Sequence, residues 1–399
     1  MRDIGCVEDA ALGIIAGRVA WVGTRAQSEC LVGPRYAVQA DQCVVPGVVD
    51  AHTHPIWGGS RTGEFEMRAA GATYLDIHRA GGGIMSTVRA SRALDAASLA
   101  LRTRRHLTRM LTHGTTTVEA KSGYGLDLDT ELRDLRVLRE AARSLPMQVV
   151  PTFMGAHAIP SEHASSRAAY IDLVAGPMIS RVAEEGLAAY CDVFCEDGAF
   201  TLEESRRILE AARARGLGLK IHAEEFAYLG GARMAASLGA VSVDHLLSLP
   251  SSDFDAIRAG GSIAVLLPGT AFFLGKTAYA PARGLIEADV PVAIATDFNA
   301  GSCMTESLPM ALSVAILQMR LTPEEAIVAG TVNAAHAVGR GADVGSLEPG
   351  KRADFLVIDC ADPREWLYHF GVNLVAEVWT GGERRVRRAA IDDGGPSGS

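Results

Sequence analysis

His52 and His54 close the apolar run Pro46-Gly47-Val48-Val49-Asp50-Ala51-His52-Thr53-His54. Along a strand, alternate side chains point the same way, so two imidazoles one residue apart can each offer a nitrogen to one divalent cation. A helix would splay them apart. The same spacing also suits a core histidine satisfied by a backbone carbonyl, so the pair gains meaning only from its partners. Three further residues follow short apolar segments in the same manner: His222 in Lys220-Ile221-His222-Ala223-Glu224-Glu225, His245 in Asp244-His245, and Asp297 in Ala295-Thr296-Asp297-Phe298-Asn299. Imidazoles and a carboxylate suit zinc or iron(II), and residue types alone do not choose between them. A cation held this way, with one position open to water, supplies hydroxide near neutral pH.

Such residues must be carried to one place by the fold. Strand-like segments recur at Val44-Asp50, Thr115-Ala120, Gln148-Phe153, Cys191-Phe194, Gly218-Ile221, Ala240-Asp244, Ser262-Leu267 and Val292-Ala295. Amphipathic segments such as Asp129-Leu145 and Leu202-Arg215 lie between them, with apolar residues three and four apart, and Thr201 with Glu204 forms a capping-box start. Eight βα units predict an α/β fold, a (β/α)₈ TIM-like barrel whose chemistry collects at the C-terminal strand ends. His52, His54, His222, His245 and Asp297 then share one rim. The flanks, including Gly13-Gly23, Asp354-Asp359 and Val375-Gly382, are short β-type runs with glycine turns. We expect residues 1–46 and 341–385 to form a small β-sandwich domain, 47–340 the barrel, and 386–399, rich in Gly, Pro and Ser, a disordered tail.

The 399 residues exceed the usual ceiling for one core, and a composition 48% hydrophobic and 21% charged is that of a soluble globular enzyme. A net charge of -9 argues against nucleic-acid and anionic-membrane partners and for a small-molecule substrate. The N-terminus lacks a secretory pattern and no stretch is long and apolar enough to span a membrane, so a cytoplasmic location is expected. Seven cysteines without paired spacing read as reduced thiols. Of the 38 basic residues only four are lysines, Lys121, Lys220, Lys276 and Lys351. Lys220 lies two residues deeper than His222 on the same strand face, where a barrel-interior ion pair is expected.

The rim pattern resembles the amidohydrolase superfamily, which carries H-x-H on the first strand, histidines on the fifth and sixth and an aspartate on the eighth. Gly63-Glu64-Phe65-Glu66-Met67-Arg68, Gly81-Gly82-Gly83-Ile84-Met85-Ser86-Thr87-Val88, Ser122-Gly123-Tyr124-Gly125-Leu126, Gly155-Ala156-His157, Cys191-Asp192-Val193-Phe194-Cys195-Glu196 and Leu267-Pro268-Gly269 narrow it, since they resemble the imidazolonepropionases of histidine degradation. The likeness spans about Trp21 to Gly382. After the eighth strand the family runs Asp-x-Asn-Pro-Gly-Ser, and here Ala300 replaces the proline.

This resemblance implies a metal-dependent hydrolase that opens the ring amide of 4-imidazolone-5-propanoate to N-formimidoyl-L-glutamate. Binuclear relatives bridge two metals with an anionic ligand at the end of the fourth strand, where this chain has Cys195-Glu196 and no lysine. One metal held by His52, His54, His222 and Asp297 is therefore expected, with Asp297 relaying the proton. The resemblance sets His245 and Glu225 beside the water and the ring, to polarise the carbonyl, hold the nucleophile or bond a ring N–H; which does which stays open. Arg61 can grip the propionate two-pronged. Tyr74 and Tyr124 can add phenol hydrogen bonds, and His157, Asn299, Gly301 and Ser302 complete the pocket by resemblance. Arg61 also reads as a surface arginine and the tyrosines as core edges. His78, His106, His113, His163, His336 and His369 fall off the rim and read as structural, and Gly81-Gly82-Gly83 as a close-approach loop near the substrate. Rival readings are another amidohydrolase activity, such as a deaminase or a different cyclic amidase, and a non-catalytic scaffold. A homodimer is the default assembly.

Overall fold

The structure, a computed structural model, describes residues 3–30, 33, 36–38, 41–72, 76 and 80–388. Eight parallel strand positions follow one another in chain order: Val48–Asp50, Thr115–Lys121, Gln148–Ala156, Tyr190–Cys195, the split pair Gly218–Leu219 and His222–Ala223, then Ser242–His245, Ile263–Leu266 and Val292–Ile294. Thr115–Lys121 is buried along its whole length, as befits a parallel strand covered on both faces.

The first and eighth strands meet beyond their ladders. Thr53 bridges Phe298, Asp297 N–H donates to the His52 carbonyl at 3.0 Å, and His54 N–H to the Phe298 carbonyl at 2.8 Å. Below them the Asp50 carboxylate accepts from Thr296 N–H at 3.0 Å and the Thr296 hydroxyl at 2.6 Å. The seam of the barrel is thus stitched next to the residues that could do chemistry.

Helices cover the outside. Leu128–Ser144 begins where Asp127 accepts from Thr130 N–H and buries Leu132, Leu135, Leu138 and Ala141. Leu202–Ala214 begins with the Thr201–Glu204 capping box. No helix among the described residues is long and apolar enough to cross a membrane.

The segment expected as one strand, Val44-Asp50, is two. Cys43–Pro46 pairs antiparallel with Phe355–Ile358, and the barrel begins only at Val48. Gly47 makes the break: its N–H goes to the Asp354 carbonyl while Val48 N–H turns to Gly114, and a Cβ on Gly47 would lie 2.3 Å from the Thr116 hydroxyl. A four-stranded antiparallel sheet results, ordered Glu383–Arg387, Val375–Thr380, Phe355–Ile358, Cys43–Pro46.

The hairpin Ala10–Ile15 with Arg18–Thr24 is a separate two-stranded sheet. Backbone bonds from Val19 to Lys351 and from Ala353 to Gly17 tie it to the segment before Phe355–Ile358. The last strand runs to Arg387, past the expected start of the tail at 386; residues 389–399 lie outside the described residues.

Candidate metal centre

His52, His54, His222, His245 and Asp297 come together at the barrel mouth, each no more than 3% exposed. The H-x-H imidazoles face the same side, as strand alternation requires. His54 Nε2 lies 3.3 Å from His222 Nε2 and 3.5 Å from Asp297 Oδ1, and His52 Nε2 lies 3.6 Å from that same oxygen.

The tautomers follow from the partners behind them. His52 Nδ1 donates to Asp244 Oδ2 at 2.6 Å and His222 Nδ1 to Asp192 Oδ1 at 3.0 Å. A carboxylate only accepts, so each Nδ1 carries the proton and each Nε2 presents a lone pair. Burial, aided by Lys121 and the neighbouring imidazoles, holds His52 well below its ordinary pKa, and burial with His157 and His222 does the same for His54. Among the described residues His52 Nε2 has no hydrogen-bond partner, and the Nε2 atoms of His54 and His222 lie within hydrogen-bond reach of each other. With His52 and His222 presenting lone pairs and Asp297 Oδ1 beside His52 and His54, the cluster is one that a divalent cation answers.

Asp297 is fixed on its other side by the Thr270 hydroxyl, 2.5 Å from Oδ2. Burial pushes its carboxyl up to about 6. Glu225 is pushed further, to about 8, by burial and by the charge of Asp297. His245 Nδ1 is 3.7 Å from Glu225 Oε2 and has no hydrogen-bond partner; burial, with His222 beside it, keeps this ring neutral.

Backbone strain aims these groups. Asp297, His245, Leu246 and Glu224 adopt φ of 53°, 78°, 65° and 54°, a region that costs a non-glycine residue about 1–3 kcal/mol. Glu224 is pinned by the N–H groups of Gly231 and Ala232, and the Glu196 carboxylate accepts from Phe226 and Ala227 N–H. Those clamps leave Glu225 pointing at the metal pocket. They also engage Glu196, the fourth-strand carboxylate, with backbone rather than with the histidines.

The substrate-side residues divide. Tyr124 is buried, its ring 5.2 Å from that of His157 and 6.2 Å from that of His54. His157 stacks on His54 at 5.1 Å and its Nδ1 meets the Gly123 carbonyl; burial, with His222 nearby, lowers it to about 3. Asn299 is engaged within its own loop, bonding the Asp297 carbonyl, the N–H groups of Gly301 and Ser302, and the Ser302 hydroxyl. Tyr74 and His78 lie outside the described residues.

Arg61 caps the helix Thr62–Ala69 and donates to Glu64 at 2.7 Å. Glu64 also takes Gly83 N–H, which ties the triple-glycine loop to Arg61. A Cβ on Gly301 would meet Arg61 Nη1 at 1.8 Å, so the guanidinium needs glycine there. A cavity of about 300 Å³ opens beside it, lined by Trp57, Phe65, Arg68, Arg102, Phe273 and Met304 among others. The i,i+3 spacing of Arg61 and Glu64 was a readable sign of this pairing.

Lys220 makes no ion pair among the described residues, contrary to expectation. Its ammonium donates to the carbonyls of Ala51, just past the first barrel strand, and Ala337, the last residue of the helix Val332–Ala337. The buried ion pairs belong to Lys121, with Glu119 and Asp192. Those three and Thr270 escaped the sequence reading, although Glu119 and Lys121, charged at alternate positions of an otherwise uncharged strand, carried the signal.

Residues 43–386 match the amidohydrolase family. The chain is 47% identical over 392 residues to an imidazolonepropionase from Solibacter usitatus, covering 98% of this chain and 94% of that one. It is 50% identical over 337 residues to another from Syntrophobacter fumaroxidans, covering 84% and 79%. Among solved structures, an adenosine deaminase from Xanthomonas campestris with bound zinc superposes with TM-score 0.73 at 20% identity, covering 97% and 90%. A 5-methylcytosine deaminase from Klebsiella pneumoniae gives 0.75 at 16%, covering 95% of each chain. These two likenesses establish the fold alone.

Proposed function

The chain belongs to the imidazolonepropionase family of the amidohydrolases, and from that premise we propose roles for its residues. The reaction is hydrolysis of the ring amide C–N bond of 4-imidazolone-5-propanoate, yielding N-formimidoyl-L-glutamate. The observation that carries the assignment of ligands is the cluster of His52, His54 and His222 nitrogens, with Asp297 Oδ1 within 3.6 Å of His52 Nε2 and 3.5 Å of His54 Nε2. These four residues would hold one divalent metal, zinc or iron(II). Bound there, it supplies Lewis acidity that brings a water to hydroxide near neutral pH.

Asp297, fixed by Thr270, accepts the proton of the attacking water and passes it to the ring nitrogen as the C–N bond breaks. His245, held neutral, faces Asp297 and orients the nucleophile or polarises the ring carbonyl. Glu225, its carboxyl pushed up by burial and by Asp297, hydrogen-bonds the ring. Arg61 grips the propionate in place of part of its bond to Glu64, with Tyr124, His157, Tyr74 and the Asn299–Gly301–Ser302 loop shaping the pocket. We assign the barrel to 47–340 and the small β domain to 1–46 with 341–387, the last bound following the strand Glu383–Arg387. A cytoplasmic homodimer with no nucleic-acid or membrane partner fits the composition.

Incubation with freshly generated substrate tests the reading. Loss of the ring's ultraviolet absorbance, with formimidoyl-glutamate recovered by mass spectrometry, is expected; an intact substrate alongside turnover of a deaminase substrate would contradict it.

A further inference from the structure

Behind the candidate metal pocket one lysine joins three carboxylates in the buried interior. Lys121, at the end of the second barrel strand, is 0% exposed. Its Nζ donates to Glu119 Oε1 and Asp192 Oδ2, both at 2.7 Å, and stands 4.0 Å from Asp244 Oδ2. Each carboxylate also holds part of the pocket. Asp192 accepts from His222 Nδ1 through its other oxygen, Asp244 Oδ2 accepts from His52 Nδ1, and Glu119 Oε2 accepts at 3.3 Å from the N–H of Thr53, the residue between His52 and His54.

We propose that Lys121 is a positioning residue: one ammonium sets the orientation of His52, His54 and His222 through Asp244, Glu119 and Asp192, so that the nitrogens converge before a cation arrives. The proposal rests on the reading of those histidines as ligands. An ammonium has three donors; two are engaged at short range and the third side faces Asp244. Without it, Glu119 and Asp192 would face each other with no ammonium between them and Asp244 would keep only the field of Lys220, an arrangement a low-dielectric interior penalises heavily. The carboxylates would turn apart and carry the imidazoles with them. Lys220 supplies the contrast, since it is equally buried and its charge acts on Asp244, yet its hydrogen bonds go to backbone carbonyls and it makes no ion pair within 4.0 Å among the described residues. Burial of a lysine therefore does not by itself create such a link. Lys121 has no access to substrate and takes no part in bond making.

The test uses Lys121→Met beside the unaltered protein, with three readouts: zinc affinity by chelator competition, the visible spectrum after cobalt(II) loading, and circular dichroism of the metal-free chain. A folded variant whose zinc Kd rises about tenfold to a hundredfold, with altered cobalt(II) bands, is the expected result. A folded variant with unchanged Kd and spectrum would overturn the proposal. Glu119→Gln, run in parallel, removes one anchor but leaves the ammonium on Asp192, and covers the case in which Lys121→Met does not fold. It should shift both readouts in the same direction by a smaller amount, and no shift would again overturn the proposal. If the unaltered protein itself held no zinc, the ligand assignment would fail instead.

Discussion

Around the barrel mouth, Glu224, His245, Leu246 and Asp297 hold positive φ, and His52 Nε2, His54 Nδ1 and His245 Nδ1 are buried without hydrogen bonds. The four-stranded sheet at the chain ends is built the other way. Its buried Glu377 is fully answered, by the Tyr36 hydroxyl at 2.6 Å, the Trp379 indole at 2.8 Å and the Arg384 guanidinium at 3.0 Å. Phe355 stacks on Trp379 at 5.2 Å across the Phe355–Ile358 and Val375–Thr380 pair. One region keeps strain and unmet polar atoms for a ligand, and the other closes its polar groups on themselves. Substitution should therefore cost turnover at the barrel mouth and stability in the sheet.

Asp297→Asn should separate the two most sharply. Losing the proton acceptor and a ligand together should lower kcat by about 10³-fold or more, while the melting temperature of the metal-free chain stays at or above that of the unaltered protein. Near-normal kcat would break the comparison. On the other side, Leu356→Ala removes a fully buried side chain of the small sheet. It should cost about 2–5 kcal/mol in urea unfolding with kcat unchanged in the folded protein; a matching loss of kcat would show that the sheet tunes the site.

His106 sharpens the boundary between the regions, because it is buried but satisfied, donating from Nδ1 to the Pro55 carbonyl and stacking on Trp57. Burial lowers its pKa to about 4. The unfolded chain therefore binds a proton below about pH 6.5 that the folded chain refuses until about pH 4, so stability falls as pH drops through that window and levels below it. The integrated loss is about 3 kcal/mol. His106→Gln, which can still donate to Pro55, should remove that part of the slope in unfolding measured from pH 7 to 4; an unchanged slope would assign the acid sensitivity elsewhere. Arg61→Ala carries the smallest effect, because Glu64 already competes for the guanidinium. KM should rise about tenfold with little change in kcat, and an unchanged KM would send the propionate elsewhere.

Much of the fold was legible because parallel barrel strands are buried on both faces and read as short apolar runs with chemistry at their ends. The H-x-H spacing also translated directly, since strand periodicity alone sets both rings on one side. What failed to read had physical causes. The run Val44-Asp50 looks continuous by hydrophobicity, yet Gly47 turns it from the small sheet into the barrel for lack of room beside Thr116. Glu119 and Lys121 were hidden because a charge within a strand gives no hint of partners that arrive from Tyr190–Cys195 and Ser242–His245, some 70 or more residues later. Lys220 was misread for the same reason: its neighbours are carbonyls, which a sequence does not announce.

The central claim is that the converging His52, His54, His222 and Asp297 atoms hold a single catalytic cation. We would measure metal content and substrate turnover on the same sample, as purified, after chelation, and after return of zinc or iron(II). The account predicts one metal per chain, turnover lost with it and restored by one equivalent. Turnover that survives complete removal of metal would contradict it.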